Sequence, residues 1–418
     1  MTTITSNNTK TWGVPPTEQY EKIAFRFRPI FQQIREKTEE RENNRELLFE
    51  VISWLKKEKF GAVRLPVEKG GLGASNVDLA ELLTELAAAD SNVTQALRAH
   101  FAFTEMVLHA DPSPVRDVWL QRIANGDIVG NAWTETGAAK VGGFETRVKK
   151  TKDGFRLFGT KYYSTGTIYA DWILVLAADE EDNHVFAVVD KNGEGVEVID
   201  DWNGFGQILT GTGTTHFSNT PLEQGKVLDK SFEAKFLAGY FQLVHLATLS
   251  GIARAALHDV AREVANRTRN YSHSTATSSK EDAQVLQVVG RVHSLAYAVG
   301  AITEKAAKSI QAAGEARFQG NAEKEQDVND QAEIEISAAQ AIISRLAPEA
   351  ATLIFDALGA SATSIDKRLD RHWRNARTVA SHNPLIYKER IVGDYVVNQT
   401  PPPYIWFTGE KVKGEHKN

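Results

Sequence analysis

The sequence predicts an α+β protein in three consecutive parts: helical, then β, then helical again. Three observations carry this reading. In stretches between Thr17 and Leu108, apolar residues recur at helical spacing. From Asp127 to Asp201 the apolar period drops to two, between Asp, Asn and Gly turns. From Phe232 the helical spacing returns for most of the remaining chain. This order predicts an N-terminal helical domain over residues 1–126, a central β-barrel-like domain over 127–230 and a C-terminal helical bundle with a tail over 231–418.

The elements follow in order. Residues 1–16 are polar, end in Val14-Pro15-Pro16 and read as a loose arm. From Thr17 to about Leu55, Ile23, Phe27, Ile30, Phe31 and Ile34 mark a helical face. Phe60–Pro66 reads as a short extended link, and Lys69–Ala74 as a glycine-rich turn. Asn76–Ala89 is a strong helix with Leu79, Leu82, Leu83 and Leu86 on one face, and Asn92–Leu108 is another. Trp172–Leu176 and Val185–Val189 are expected as buried strands of a β part that ends near Pro221. Helices are expected from Phe232 to about Ala313 and from Asp327 to about Leu358. The charged tail from Gly409 is expected to fray.

Composition bounds the function. A chain of 418 residues with 42% apolar and 24% charged residues is an ordinary globular protein with a large core. Its net charge of −6 argues against nucleic acid or an anionic membrane as the main partner. No apolar run reads as long enough to span a bilayer, and the N-terminus lacks the basic flank and apolar stretch of a secretory signal. A cytoplasmic location is therefore expected. Cysteine is absent and methionine numbers 2, which excludes disulfides, cysteine ligands and cysteine nucleophiles. Drift or avoidance of oxidisable side chains accounts for this. Economy of sulfur also accounts for it, and suits an enzyme that scavenges sulfur. The scattered histidines form no His-x-x-x-His pair, so no metal centre is expected. No dinucleotide fingerprint or P-loop is present, so NAD(P)H is not expected to bind.

Two segments carry the chemistry. Gly130-Asn131-Ala132-Trp133-Thr134-Glu135-Thr136-Gly137 and Lys161-Tyr162-Tyr163-Ser164-Thr165-Gly166-Thr167 place small hydroxyl residues and glycines at strand ends. Such ends let N–H groups and hydroxyls approach a flat polar heterocycle. A flavin ring, with polar edges and apolar faces, suits that lining. Strand propensity accounts for the Tyr and Thr residues but not for a Ser-Thr-Gly run close to Thr160.

The order of helical segment, Trp-Thr-Glu strand, Tyr-Ser-Thr-Gly strand and helical segment resembles the acyl-CoA dehydrogenase fold over residues 20–400. That resemblance implies a C-terminal four-helix bundle. The run Ala380-Ser381-His382-Asn383-Pro384-Leu385-Ile386-Tyr387-Lys388 is similar to the flavin monooxygenase branch, typified by dibenzothiophene monooxygenase. Many acyl-CoA dehydrogenases carry a catalytic carboxylate near this position, in a Tyr-Glu-Gly-Thr-like segment. Others carry it in the first helix of the C-terminal domain, where this chain reads Tyr240-Phe241-Gln242-Leu243-Val244-His245-Leu246. Neither stretch holds Glu or Asp, and abstraction of a substrate α-proton needs a positioned base. His245 reads as a packed helix residue.

The resemblance also implies site residues. His382, beside Pro384 at a helix end, is expected near the flavin C4a–N5 edge, titrating near neutrality. Ser164 is expected to bond flavin N5 or dioxygen. Asn131, Trp133 and Thr134 would line the pyrimidine edge, with Thr160 in the same cofactor-facing set; Trp133 as simple core remains open. Tyr162 and Tyr163 would pack against the ring or the substrate. His100, Phe103 and Thr104 would form the substrate wall, His100 with a catalytic part. Gly137–Gly143 resembles a lid loop. Arg269 would reach the flavin phosphate of a neighbouring subunit, and Gly359, Ala360 and Ser361 would approach the cofactor tail. Dehydrogenases typically read Arg-x-x-Phe-Gly where this chain has Arg269-Asn270-Tyr271-Ser272-His273, which favours FMN over FAD. The basic run Leu369–Arg377 is expected to join subunits by ion pairs.

The expected function is a two-component monooxygenase. Reduced FMN from a separate NAD(P)H-dependent flavin reductase would react with O2 at C4a, and the hydroperoxide would oxidise a small or aromatic organosulfur compound. A homotetramer is implied by the resemblance. An FAD-dependent acyl-CoA dehydrogenase with a displaced base, an N- or C-hydroxylase of an amine or phenol, and a non-catalytic scaffold are the alternatives.

Overall fold

The computed structural model describes residues 17–136, 143–225 and 227–405. The expected N-terminal arm, residues 137–142 of the expected lid and the charged tail lie outside the described residues.

Helix α1 (Glu18–Glu36) begins where the Thr17 hydroxyl accepts the Tyr20 N–H at 3.1 Å. It buries the stripe Tyr20, Ile23, Ala24, Phe27, Phe31 and Ile34. Helices α2 (Thr38–Asn44) and α3 (Phe49–Lys57) follow. Phe60–Ala62 is a 3-10 turn rather than an extended link. The turn drives Phe60 edge-on into Phe27, Phe31 and Phe101, with ring centroids 5.0, 5.7 and 5.7 Å away. Helix α4 (Asn76–Ala96) opens on a Ser75/Asp78 capping box and breaks helical geometry at Asp90, where the expected helices Asn76–Ala89 and Asn92–Leu108 divide; the second continues past Leu97 in the next helix. Asp90 leaves helical geometry and accepts the Asn92 N–H and the Arg41 guanidinium. Helices α5 (Arg98–His109) and α6 (Pro114–Asn125) complete this part. The second was not foreseen, although Ser113 caps it, Pro114 opens it and left-handed Gly126 stops it.

The middle part is one curled sheet of seven strands: β1 (Val129–Ala132), β2 (Arg147–Thr151), β3 (Gly154–Lys161), β4 (Trp172–Ala178), β5 (His184–Asp190), β6 (Val196–Ile199) and β7 (Thr214–Pro221). The path runs β1-β4-β2-β3-β7-β6, with β5 on the other side of β4. Strand β1 lies parallel to β4, and β3 lies antiparallel to both β2 and β7. Val148, Leu157, Ile173, Val175, Val189 and Phe217 form its own small core.

The last part is helical: α7 (Leu237–Asn266), α8 (Ala283–Ala316), α9 (Ala322–Leu358), α10 (Asp370–Ala380) and α11 (Leu385–Asn398). Helices α7, α8 and α9 pack on one another, and α10 and α11 pack on α9. The helical region expected from Phe232 to about Ala313 consists of α7 and α8, divided after Asn266. There Asp282 binds the Ser274 hydroxyl at 2.5 Å and caps α8 through the Gln284 N–H at 2.9 Å. The expectation of no span-length apolar stretch also needs correction. Lys230–Asn266 and Ala283–Gln319 are both long and apolar enough to cross a membrane. The first is a core helix; only 17% of the apolar window of the second is buried within the chain.

Three residues of the basic run around α10 bind within the chain. Arg371 and His372 both reach Asp259 of α7, at 2.5 and 2.8 Å, and Arg374 reaches Glu42 of α2 at 3.0 Å. These buried pairs fix where α10 ends, and so where His382 stands.

Candidate active site

The two hydroxyl-rich segments meet. Thr134 and Tyr162 form an antiparallel bridge, in which the Tyr162 N–H donates to the Thr134 carbonyl at 2.8 Å. The Thr167 hydroxyl donates to the Asn131 carbonyl at 2.9 Å. A third run, Thr210-Gly211-Thr212-Gly213, was missed by sequence reasoning and holds the second segment from behind. The Gly213 carbonyl accepts the Ser164 N–H at 2.9 Å, and the Thr210 carbonyl accepts the Gly166 N–H at 3.0 Å. The Thr212 hydroxyl bonds those of Thr165 and Thr210 at 2.9 and 2.7 Å. Its composition copies that of the two segments singled out, and that was the available signal.

Gly166 locks this loop to the helical part. Its φ is +76°, and a Cβ there would lie 1.9 Å from the Ala96 carbonyl oxygen at the end of α4. The contact sets the strand ends against the α4–α5 junction, where Arg98 begins the next helix.

Arg98 leads on to His382. Its Nη2 donates to His382 Nε2 at 3.4 Å, and its guanidinium lies over the Phe241 ring at 4.9 Å. Phe241 meets Trp133 edge-on at 4.9 Å. Strand end, α5, α7 and the α10–α11 turn are thus in contact through Trp133, Phe241, Arg98 and His382. The His382 ring also stands 4.3 Å from that of His245. Gln95 Nε2 donates to His245 Nε2 at 3.1 Å, so His245 Nδ1–H faces Gln242 Oε1 at 3.2 Å, which also accepts Gln340 Nε2 at 2.8 Å. The amides pack His245 in place, and burial, with the His382 ring and the Arg98 charge nearby, holds its pKa well below the ordinary imidazole value.

His382 follows α10 and precedes Pro384 and α11. Because Nε2 accepts from Arg98, its proton sits on Nδ1, which faces Asn383 Oδ1 at 3.2 Å. Desolvation of its inner side and the Arg98 charge hold its pKa well below the ordinary imidazole value, although the residue keeps an exposed side. This corrects the expectation of titration near neutrality: at pH 7 the ring is neutral.

Several buried polar atoms beside these contacts have no protein partner: Asn131 Oδ1, Trp133 Nε1, Ser164 Oγ, Gln95 Oε1 and Arg98 Nε. Buried polar atoms are normally bonded. Three of the five belong to residues singled out from the strand-end motifs. They fit a ligand with several polar edge atoms.

Other expected residues lie elsewhere. His100 is fully buried, with Nε2 donating to the Gly61 carbonyl at 3.0 Å and Nδ1 accepting the Val129 N–H at 3.3 Å. Both nitrogens are occupied by backbone, which corrects the expected catalytic role. Phe103 packs edge-on against Trp119 at 5.0 Å, and the Thr104 hydroxyl bonds the His100 carbonyl at 2.9 Å. Both are core rather than substrate wall. Thr160 bonds His216 across the sheet at 2.9 Å. Tyr163 has φ +56°, is exposed and leans on Trp202.

Arg269 is exposed. Its neighbour Arg267 donates to the Leu358 carbonyl at 2.9 Å, and Tyr271 lies so near Gly359 that a Cβ there would meet its hydroxyl at 2.6 Å. Arg269, Gly359, Ala360 and Ser361 therefore belong to one surface region at the end of α9. Along that helix, Gly359 is about 28 Å from Gln340 at 1.5 Å per residue.

Glu135 follows the first hydroxyl-rich strand end. Its carboxylate accepts Lys161 Nζ at 2.6 Å and the N–H groups of Glu145 and Thr146 at 2.7 and 3.0 Å. Burial lowers the Lys161 pKa to about 8, against the opposing pull of Glu135.

Comparisons place this arrangement among known proteins. Models of the acyl-CoA dehydrogenase N-terminal, middle and C-terminal domains match residues 17–127, 130–220 and 243–385. A dibenzothiophene monooxygenase of Mycolicibacterium goodii is 28% identical over 357 residues, 82% of this chain and 85% of that protein. A probable FMNH2-dependent monooxygenase, SfnC of Pseudomonas putida, is 27% identical over 348 residues, 81% of this chain and 85% of that protein. Among solved structures, TdsC of a Paenibacillus species, in complex with FMN and indole, superposes with a TM-score of 0.82 at 23% identity, covering 92% of this chain and 98% of that one. Methanesulfinate monooxygenase MsuC of Pseudomonas fluorescens superposes with a TM-score of 0.80 at 23% identity, covering 91% and 98%.

Proposed function

We propose, from the premise that this chain belongs to the acyl-CoA dehydrogenase family, that it is an FMNH2-dependent monooxygenase acting on organosulfur compounds. One observation carries the reading. The unpartnered buried atoms of Asn131, Trp133 and Ser164 gather at strand ends beside a neutral His382, and no carboxylate touches His382, Arg98 or His245 among the described residues. A dehydrogenase needs a base for the α-proton. Glu333, pushed up to about 7 by burial, is a bundle-core residue against Gly239 and opposed by Lys388.

Ser164 Oγ, Trp133 Nε1 and Asn131 Oδ1 would hold the flavin's polar edge. When bound, reduced FMN supplies two electrons and the site of dioxygen activation. Phe241 and Trp133 keep water from the reacting edge. His382 presents a neutral imidazole, fixed by Arg98 and Asn383. One oxygen atom goes to sulfur and the other leaves as water. The reductant would come from an NAD(P)H-dependent flavin reductase, because this chain carries no dinucleotide fingerprint. A second copy would cover the outward apolar residues Leu286 and Tyr297 of α8 and bring its Arg269 and Ser361 region to the cofactor tail, as part of a cytoplasmic homotetramer.

The test is anaerobic loading with reduced FMN, exposure to ¹⁸O2, and mass spectrometry of sulfide, sulfone and sulfinate substrates. Transfer of one ¹⁸O atom per turnover is expected. Oxidation of reduced FMN at its free-solution rate, with only hydrogen peroxide formed, would overturn the reading.

A further inference from the structure

Four arginines of the described chain are buried: Arg41, Arg98, Arg254 and Arg371. Three face a carboxylate. Arg41 meets Asp90 at 3.3 Å, Arg254 meets Glu81 at 2.5 Å, and Arg371 meets Asp259 at 2.5 Å. Arg98, only 8% exposed, has no carboxylate partner among the described residues. Its contacts are His382 Nε2 and the Phe241 ring, and its Nε bonds nothing. A buried cation without a counter-charge is costly, and the chain has placed one beside the candidate reaction centre.

We propose that Arg98 is a specificity residue that grips the two oxygens of an alkanesulfinate, so that the organosulfur substrate of this chain is a small anion rather than a neutral heteroaromatic sulfide. This rests on the monooxygenase reading above. A guanidinium offers parallel N–H groups that match paired oxygens. A sulfinate gripped by both oxygens keeps its sulfur lone pair uncovered. The Phe241 ring offers a short alkyl group an apolar wall. In the reaction, the sulfur lone pair forms the new S–O bond as the O–O bond breaks. Sulfinate, O2 and reduced FMN give sulfonate, water and oxidised FMN; sulfur and flavin each lose two electrons, and dioxygen gains four. A bound anion would also offset the Arg98 charge felt by His382 and make that ring easier to protonate. Arg98 and its carboxylate-free surroundings thus couple substrate charge to the protonation of His382.

The experiment uses the full chain, with and without oxidised FMN. It measures calorimetric affinity for methanesulfinate and for its neutral counterpart dimethyl sulfone. Wild type is expected to prefer methanesulfinate at least tenfold. R98Q should erase the preference and R98K should keep part of it, with FMN affinity within about twofold in all three. ¹⁵N NMR should show His382 becoming easier to protonate on methanesulfinate binding in wild type and not in R98Q. Should R98Q fail to fold, R98K decides: an undiminished preference refutes the guanidinium grip. An unchanged preference in R98Q overturns the proposal. So does a tenfold loss of FMN affinity with the preference intact, which would assign Arg98 to the flavin. The preference measured without FMN separates this proposal from the function beneath it. Anion selectivity that depends on Arg98, without ¹⁸O transfer, would sink the monooxygenase reading alone.

Discussion

Replacing Gly166 with alanine puts a methyl group where the fold has left no room. Gly166 has φ +76°, and the added Cβ would stand 1.9 Å from the Ala96 carbonyl oxygen and 2.8 Å from its carbon. Two costs add. A non-glycine residue in the left-handed region costs about 1–2 kcal/mol, and forcing atoms into a packed interior costs about 1–3 kcal/mol more. The expected loss is therefore roughly 2–5 kcal/mol, the sum of those two ranges. Gly320 isolates the first cost, since its φ is +67° and nothing lies within 4 Å of where an added Cβ would stand. Gly320→Ala should lose only about 1–2 kcal/mol. Urea unfolding at matched protein concentration measures both variants, because association would shift apparent stability. The clash also parts the Ser164 loop from the α4–α5 junction, so Gly166→Ala should bind FMN more weakly while Gly320→Ala does not. Equal stability and equal FMN affinity in the two variants would refute the interlock.

Three further outcomes are expected. Ser164→Ala removes a buried hydroxyl that has no protein partner; its unfolding midpoint should barely move, while FMN affinity by fluorescence titration falls about 2–13-fold, the equivalent of a 0.5–1.5 kcal/mol hydrogen bond. Lys161→Met strands the Glu135 carboxylate and should cost about 3–5 kcal/mol; Lys161→Met with Glu135→Met should recover part of that in a double-mutant cycle. The His100 imidazole, pushed down to about 4 mainly by burial, regains an ordinary pKa near 6.5 when unfolded. The unfolded chain then binds the extra proton, so this contribution is full above pH 6.5. It falls by about 1.4 kcal/mol per unit toward pH 4 and levels off below. Urea midpoints against pH should show a shallower slope in His100→Gln by that one proton.

The strand-end motifs were legible because their composition exceeds what a strand needs. Hydroxyls and glycines in Gly130–Thr134 and Ser164–Thr167 announce close backbone approach. Arg98 was not legible. A charged residue inside the expected helix Asn92–Leu108 reads as solvated, and only the tertiary approach of Phe241 and His382 buries it. His100 drew attention in its place. Two residues along a helix turn the side chain by about 200°, so it points into the Gly61–Val129 backbone instead of toward His382. The pKa of His382 was hidden for the same reason, since its neighbour Arg98 is 284 positions away in the chain. Helix α6 was readable from Ser113, Pro114 and Gly126 but lacks a strong apolar stripe; its buried residues are Val115, Trp119, Leu120 and Ile123. The break at Asp90 was legible as the division between Ala89 and Asn92, but its buried partner Arg41 was not.

The Glu135 carboxylate has a consequence for how this protein can vary. It accepts N–H groups from Glu145 and Thr146 while its own residue continues the β1 end, so one side chain fastens both roots of the connecting stretch. The register of β2 and β3 is then set outside that stretch, by ladder pairs such as Val148 with Leu157. Exchange or lengthening of the stretch between those roots adds only a slowly growing closure entropy. The contacts among Trp133, Phe241, Arg98 and His382 lie outside that stretch and do not depend on its sequence. Glu135 is the residue that any change of that stretch must keep.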